Sequence, residues 1–167
     1  MAELLPQERL QPSLLDRLTD NAPDIRTESR EARVLNLTQL RASVMRDVAW
    51  LLNTVNLAAS QDFGSCREAE HSTVNYGIPD LAGSSAAGRN AKELERTVRQ
   101  ALIDFEPRIL RDSVRVSVRV QPDRMSRHAL TFIIEGDLWA QPVPLSIYLK
   151  TEVDLESGTV TVTDKGG

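Results

Sequence analysis

Residues 101–120 read ALIDFEPRILRDSVRVSVRV and contain the point where the spacing of the apolar residues changes. Up to Phe105 the apolar residues recur every three or four positions, as on one face of an α-helix. From Val114 they alternate with polar residues, as in a strand with one buried face. Pro107 lies between the two patterns, disfavours helical geometry at its predecessor and has no N–H to donate. The stretch therefore predicts a helix that ends near Glu106 and is followed by a strand.

The same two patterns extend along the chain on both sides of this junction. Helical spacing predicts a first long helix over Leu37–Asn56, with Asn36 as N-cap and Val55 on its apolar stripe, and a second over Ala91–Phe105. Alternation predicts four strands, near residues 114–121, 130–138, 145–154 and 159–163. Short connections favour an antiparallel meander with one face covered by the helices.

The predicted fold class is thus α+β, with two main helices on one face of a four-stranded antiparallel sheet. The residues expected in its core are Val98, Leu102, Phe105, Val116, Val118, Phe132, Ile134, Ile147 and Leu149.

Outside these elements the sequence predicts a short helix near the N-terminus and a long central loop. Ser13 begins the hexapeptide SLLDRL, whose three leucines would form a small apolar face. The acid Asp16 lies three positions after Ser13, as in a helix-capping box. Residues 57–89 are rich in turn formers and predict a loop with little regular structure. Loops of this length inside a domain are often functional. We predict an N-terminal extension over residues 1–35 and a single domain over residues 36–167.

Composition and motifs argue against several classes of function. The net charge of −4 and the scarcity of aromatic residues argue against a nucleic-acid binder. No apolar stretch has the length of a membrane span, and the N-terminus does not resemble a signal peptide. The single cysteine fits a reducing cytosol. His71 and His128 have no nucleophile motif nearby and no metal-ligand spacing, so we expect no catalysis, cofactor or metal site.

Four motifs resemble, in order and spacing, the TssE-type subunit of bacterial type VI secretion baseplates. They are PSLLDRL at 12–18, LLNT at 51–54, the loop Ser72–Leu81 and the tripeptide Glu106-Pro107-Arg108. That subunit belongs to the family named for a lysozyme-annotated baseplate wedge protein of T-even phages. The chain departs from the family pattern at Val55, where many members have arginine.

The resemblance implies a structural, cytoplasmic subunit of a contractile injection apparatus. It implies that Glu106, Pro107 and Arg108 contact a helical bundle built by two other wedge subunits, TssF and TssG. Asn75, Tyr76 and Gly77, at the centre of the family loop, are also expected to bind a partner. The residues themselves support such a contact, because a stiff corner with two unlike charges can fix a partner's orientation.

Two other functions stay open at this point. One is a small regulatory binding module, since the same fold occurs in a stress-response anti-adaptor. The other is a muramidase, suggested by the family's lysozyme label but lacking an identifiable acid pair. If the corner is a docking site, both of its charges should be partly accessible, and Arg108→Ala should change stability little.

Overall fold

The computed structural model describes residues 13–19, 23–24, 36–64, 66–81, 91–120, 129–140 and 144–165. The helices within these ranges are α1 (Leu14–Leu18), α2 (Leu37–Leu52), α3 (Arg67–Glu70) and α4 (Ala91–Phe105). The strands are β1 (Arg115–Val120), β2 (Ala129–Leu138), β3 (Leu145–Asp154) and β4 (Val160–Asp164). Within the described ranges, no helix has the length and apolar character that a membrane crossing requires.

The four strands form one antiparallel sheet in the order β1-β2-β3-β4, so the predicted meander is confirmed. The register places Val118 opposite Phe132 and Phe132 opposite Thr151, which puts these side chains on the same face. That face is covered mainly by α4 over β1 and by α2 over β4. The α+β class with two main helices on the sheet is therefore as predicted.

The core forms between this inner sheet face and the apolar stripes of α2 and α4. Six of the nine predicted core residues are buried: Val98, Leu102, Phe132, Ile134, Ile147 and Leu149. The other three, Phe105, Val116 and Val118, were predicted to be buried but are only partly so, although they pack against the core. Val116 and Val118 lie on the edge strand β1, and Phe105 is the last residue of α4.

Helix α2 ends four residues earlier than predicted, because its last turn is replaced by bonds to distant segments. The side-chain nitrogen of Asn53 donates to Ala49 O and to Val160 O of β4, and the side-chain oxygen accepts from Val160 N. The next residues pair with Ile78 instead of continuing the helix: Ile78 N donates to Thr54 O, and Asn56 N donates to Ile78 O. Val55 is therefore exposed beside this pairing, and its predicted place on the helical stripe is wrong.

The central segment is more regular than the predicted loop. Besides α3, it contains two short 3₁₀ turns, Leu57–Ala59 and Thr73–Asn75. Residues 82–90 lie outside the described part of the chain. The N-caps of α1 and α2 are as predicted: Ser13 Oγ accepts from Asp16 N, and Asn36 forms a capping box with Gln39. The boundary between residues 35 and 36 stays a prediction.

Candidate functional site

The backbone of the Glu106-Pro107-Arg108 corner is fixed by both elements that it joins. Glu106 N closes the last turn of α4 on Leu102 O at 2.9 Å. Arg108 O then accepts from Trp139 N at 2.7 Å, just beyond the end of β2. Ile109 forms an antiparallel bridge with Leu138 next to this bond. The segment after the proline is thereby attached to the end of β2, and the corner is held at both ends.

The side chain of Glu106 is buried, and Arg108 surrounds it. Glu106 is 3% exposed, and its Oε1 accepts from the backbone N of Arg108 at 3.1 Å and from Nε at 2.7 Å. Its Oε2 accepts from Nη2 of the same arginine at 2.5 Å. This is a two-pronged arginine–carboxylate pair with a third bond from the backbone. The expectation that both charges are accessible is therefore wrong for Glu106.

The guanidinium of Arg108 also reaches helix α2. Nη2 donates to Asp47 Oδ2 at 2.6 Å, and Nη1 donates to Ser43 Oγ at 3.2 Å. Within the described part of the chain, its bonds use every guanidinium N–H but one, which is on Nη1. Burial disfavours the charged form, but the bonds and charges of Glu106 and Asp47 outweigh it and raise the pKa of Arg108.

The charged contacts continue from this corner across α2 to α1. Asp47 Oδ1 accepts from Nε of Arg46 at 2.8 Å, and Nη1 of Arg46 bonds Asp16 Oδ1 in α1 at 2.5 Å. The Arg46 guanidinium also lies 5.1 Å from the ring centre of Trp50, a cation–π contact. We use the term charge chain for the alternating series Glu106, Arg108, Asp47, Arg46 and Asp16.

Tyr76 packs beside the corner. Its ring meets that of Phe105, the residue before Glu106, edge to face with the centroids 5.4 Å apart. Burial raises the pKa of the Tyr76 phenol, and the nearby Asp47 and Glu106 carboxylates add to the effect. Tyr76 therefore supports the end of α4 from the loop side.

Asn75 and Gly77, which we expected to bind a partner, are buried within the chain. The Asn75 side chain accepts from Ala58 N at 2.8 Å and donates to Glu70 O at 2.9 Å. Gly77 has φ of 120°, and a Cβ there would lie 2.3 Å from Thr54 O. These two residues hold the loop in shape, and Tyr76 between them is the one that reaches the corner.

The residues exposed at the corner are Pro107, the partly exposed Arg108 and a tryptophan that sequence reasoning missed. Pro107 is exposed, and Trp139, whose N–H bonds Arg108 O, is 47% exposed. Sequence reasoning also missed Asp47 and Ser43. The spacing within α2 gave no signal for them, because their partner Arg108 is more than sixty residues away. Trp139 gave one signal, an aromatic residue directly after a predicted strand.

The Glu106 and Asp47 carboxylates form hydrogen bonds within the chain. Glu106 and Asp47 both accept from Nη2 of the same arginine. No group of three or more metal-ligating side chains occurs among the residues that the structure describes. The arrangement is therefore a fixed ion-pair network beneath an exposed proline.

A family model described as baseplate wedge protein gp25 matches residues 38–143, more than half of the chain. The matched range includes α2, the central segment, α4, the corner and β2. Comparisons with curated proteins and with solved structures found no match.

Proposed function

The chain belongs to the baseplate wedge protein gp25 family, and from this membership we propose that it is a TssE-type wedge subunit of a bacterial type VI secretion apparatus. Membership itself supports a structural role in a baseplate, with other baseplate components as partners. We propose that the protein is cytoplasmic and lies in a baseplate complex at the cytoplasmic side of the inner membrane. The proposed partners are TssF and TssG.

The corner is the proposed docking point, and its rigidity is the observation that carries the proposal. Pro107 is exposed at the apex, while the residues on either side are held by α4, β2 and α2. A surface that is already ordered loses little conformational entropy on binding, so more of the contact energy is retained as affinity. Trp139 beside it adds an exposed aromatic ring, a residue type enriched in interface hot spots.

Arg108 serves mainly to shape this surface. With a single guanidinium N–H left on Nη1, it can offer a partner one bond, and a two-pronged grip on a partner carboxylate would require it to leave Glu106 or Asp47. We therefore propose that the partner contacts Pro107, Trp139 and the Nη1 edge of Arg108. Glu106 fixes the corner from beneath and does not meet the partner.

We propose in addition that the protein has no muramidase activity. A general acid needs a raised pKa and access to the glycosidic oxygen. Glu106 is buried and accepts three hydrogen bonds from Arg108, so it lacks access to a glycosidic oxygen. Digestion of peptidoglycan by the purified protein, abolished by Glu106→Gln, would overturn this part of the proposal.

Docking is tested by titrating the purified subunit against a TssF–TssG complex in a calorimeter. Trp139→Ala should weaken binding by about tenfold or more, because exposed aromatic anchors contribute strongly at interfaces. Pro107→Ala should weaken it less, by loosening the apex. Thr161→Ala, an exposed change on β4, is the matched control and should leave affinity unchanged.

The same titration can also contradict the proposed docking site. Equal affinity of the wild type, Trp139→Ala and Pro107→Ala would place the contact elsewhere on the subunit. Absence of binding by the folded wild type would reject TssF–TssG as the partner. A circular-dichroism melt of each variant separates these outcomes from unfolding.

A further inference from the structure

Asp47 joins two guanidinium groups that would otherwise repel each other. Its Oδ2 accepts from Arg108 at 2.6 Å, and its Oδ1 accepts from Arg46 at 2.8 Å. Each oxygen of Asp47 therefore binds one arginine. No motif of the family resemblance includes this position.

We infer that Asp47 is the positioning residue that fixes the Arg108 guanidinium in the orientation presented to the partner. This inference rests on the proposed docking function and identifies what prepares the docking surface. Glu106 binds Nε and Nη2 and so orients one edge of the guanidinium. Asp47 binds the second N–H of Nη2, and the weak Ser43 contact of 3.2 Å is left to hold Nη1.

The carboxylate of Asp47 differs from a side-chain amide in the number of its hydrogen-bond acceptors. Asparagine has nearly the same shape but one acceptor oxygen, while its nitrogen only donates. In Asp47→Asn that nitrogen must face either Arg46 or Arg108, where it opposes another donor. The substitution therefore breaks one of the two arginine contacts without creating a cavity, and Asp47→Glu keeps both acceptors at a slightly longer reach.

Asp47 also connects the corner to α1, since Arg46 continues the charge chain to Asp16. Loss of the Asp47 charge leaves Arg46 and Arg108 without the anion between them. The Arg108 side chain is then held by Glu106 and Ser43 and at most by a neutral amide oxygen in place of the Asp47 carboxylate, so rotation about its outer bonds becomes easier. A partner that contacts Nη1 would have to order the side chain on binding, which lowers affinity.

Two measurements test the inference, one of which needs no partner. In the isolated wild type, the Arg108 guanidinium N–H groups should give separate, slowly exchanging NMR signals, because their hydrogen bonds hinder rotation. Asp47→Asn should merge or broaden those signals and weaken binding to TssF–TssG by about tenfold, the scale of one charge-assisted hydrogen bond. Asp47→Glu should restore separate signals and most of the affinity.

Asp104→Asn is the matched control, a carboxylate-to-amide change on α4 that has no contact with Arg108. It should leave both readouts as in the wild type. Unchanged Arg108 signals in Asp47→Asn would overturn the inference, and so would mobilised signals with unchanged affinity. If the wild type does not bind TssF–TssG, the proposed function fails, whereas the signals of the isolated subunit still decide whether Asp47 positions Arg108. Should Asp47→Asn not fold, the isolated wild type decides, because averaged and rapidly exchanging Arg108 signals would show that Asp47 does not fix the guanidinium.

Discussion

The corner and helix α1 are the two ends of one charge chain, and they differ in how deeply their charges lie. At the corner, Glu106 is buried and its arginine partner is largely covered by α2. At the other end, Asp16 and Arg46 form a pair that keeps substantial contact with solvent. The same kind of bond therefore stabilises these two regions to different degrees, because the carboxylate of the first pair is shielded from water whereas both members of the second pair are partly exposed.

The apolar residues show the same contrast. Leu102 and Ile109, on either side of the corner, are buried in the core. Helix α1, in contrast, contacts the domain through Asp16, and its leucines are exposed. Leu14 is 71% exposed and Leu18 is 74% exposed. Ordering of α1 on the domain thus depends mainly on a surface ion pair, and the stability of the domain should depend little on α1.

The sharpest way to test this contrast is Arg108→Ala. Removal of the arginine side chain leaves the Glu106 carboxylate buried, with the backbone N–H of residue 108 as its donor. Breaking a buried pair in this way costs about 3–5 kcal/mol, so the free energy of unfolding should fall by about 3 kcal/mol. Urea denaturation followed by circular dichroism measures it. The earlier expectation of a small change assumed an exposed pair and is replaced by this one.

The double variant Glu106→Gln with Arg108→Ala provides the control for Arg108→Ala. It removes the orphaned charge as well as its partner, and should recover part of the lost stability. A loss under 1 kcal/mol for Arg108→Ala alone would mean that the buried pair contributes no more than the pair at α1.

Gly77→Ala should have the next largest effect, because it acts on the loop that supports the corner. The new Cβ would lie 2.3 Å from Thr54 O, on a backbone with φ of 120°. Strain of this kind costs about 1–3 kcal/mol, before any cost of moving Thr54. We expect a loss of about 2 kcal/mol by the same denaturation measurement. Gly64→Ala is the control, since its φ is also positive but nothing lies within 4 Å of its Cβ.

The sequence predicted those features that depend on neighbouring residues. The change of period near Pro107 located the end of α4 and the start of the sheet, and Asn36 with Gln39 marked the start of α2. Val55 shows where that approach fails. It continues the helical spacing, but the bonds of Asn53 to β4 and the pairing with Ile78 end the helix before it.

The sequence likewise predicted only part of the candidate site. Glu106, Pro107 and Arg108 were identified as a stiff charged corner from three adjacent residues. The network around Glu106 also includes Asp47 and Ser43, which bond Arg108 from α2 and cannot be identified from the residues next to the corner. An exposed ion pair and a buried network have the same local sequence, and only the tertiary contacts distinguish them.

At the α1 end of the comparison, Asp16→Asn should change stability by about 0.5 kcal/mol or less, as expected for a solvent-screened pair. The hydrogen bond from Arg46 lowers the pKa of Asp16 from its usual 3.8. A lowered carboxyl pKa contributes stability above the unfolded value, and that contribution is lost as the pH falls through the folded value. Carboxyl NMR titration should therefore give a pKa below 3.8 in the wild type. In Arg46→Met it should rise toward 3.8, and an unchanged value would show that Arg46 does not hold α1.

The smallest effect is expected at a third pair, His71 with Asp104, whose histidine is the most exposed charged partner of the three pairs. His71 is 57% exposed at its side chain, and its Nδ1 lies 2.7 Å from Asp104 Oδ2 on α4. The hydrogen bond and charge of Asp104 raise the His71 pKa above 6.5, with smaller contributions from Glu70 and Glu68. A raised histidine pKa stabilises the fold fully below pH 6.5, and this contribution disappears as the pH rises through the folded value.

An NMR titration of the His71 ring protons tests this sign directly. The wild-type midpoint should lie above 6.5, and Asp104→Asn should return it close to that value. Glu70→Gln should move it in the same direction by much less, since Glu70 acts through charge alone. Because the His71 side chain is open to solvent, the melting temperature of Asp104→Asn should stay near that of the wild type. A large fall in melting temperature would mean that exposure does not rank the three pairs, and the contrast between the corner and α1 would need another cause.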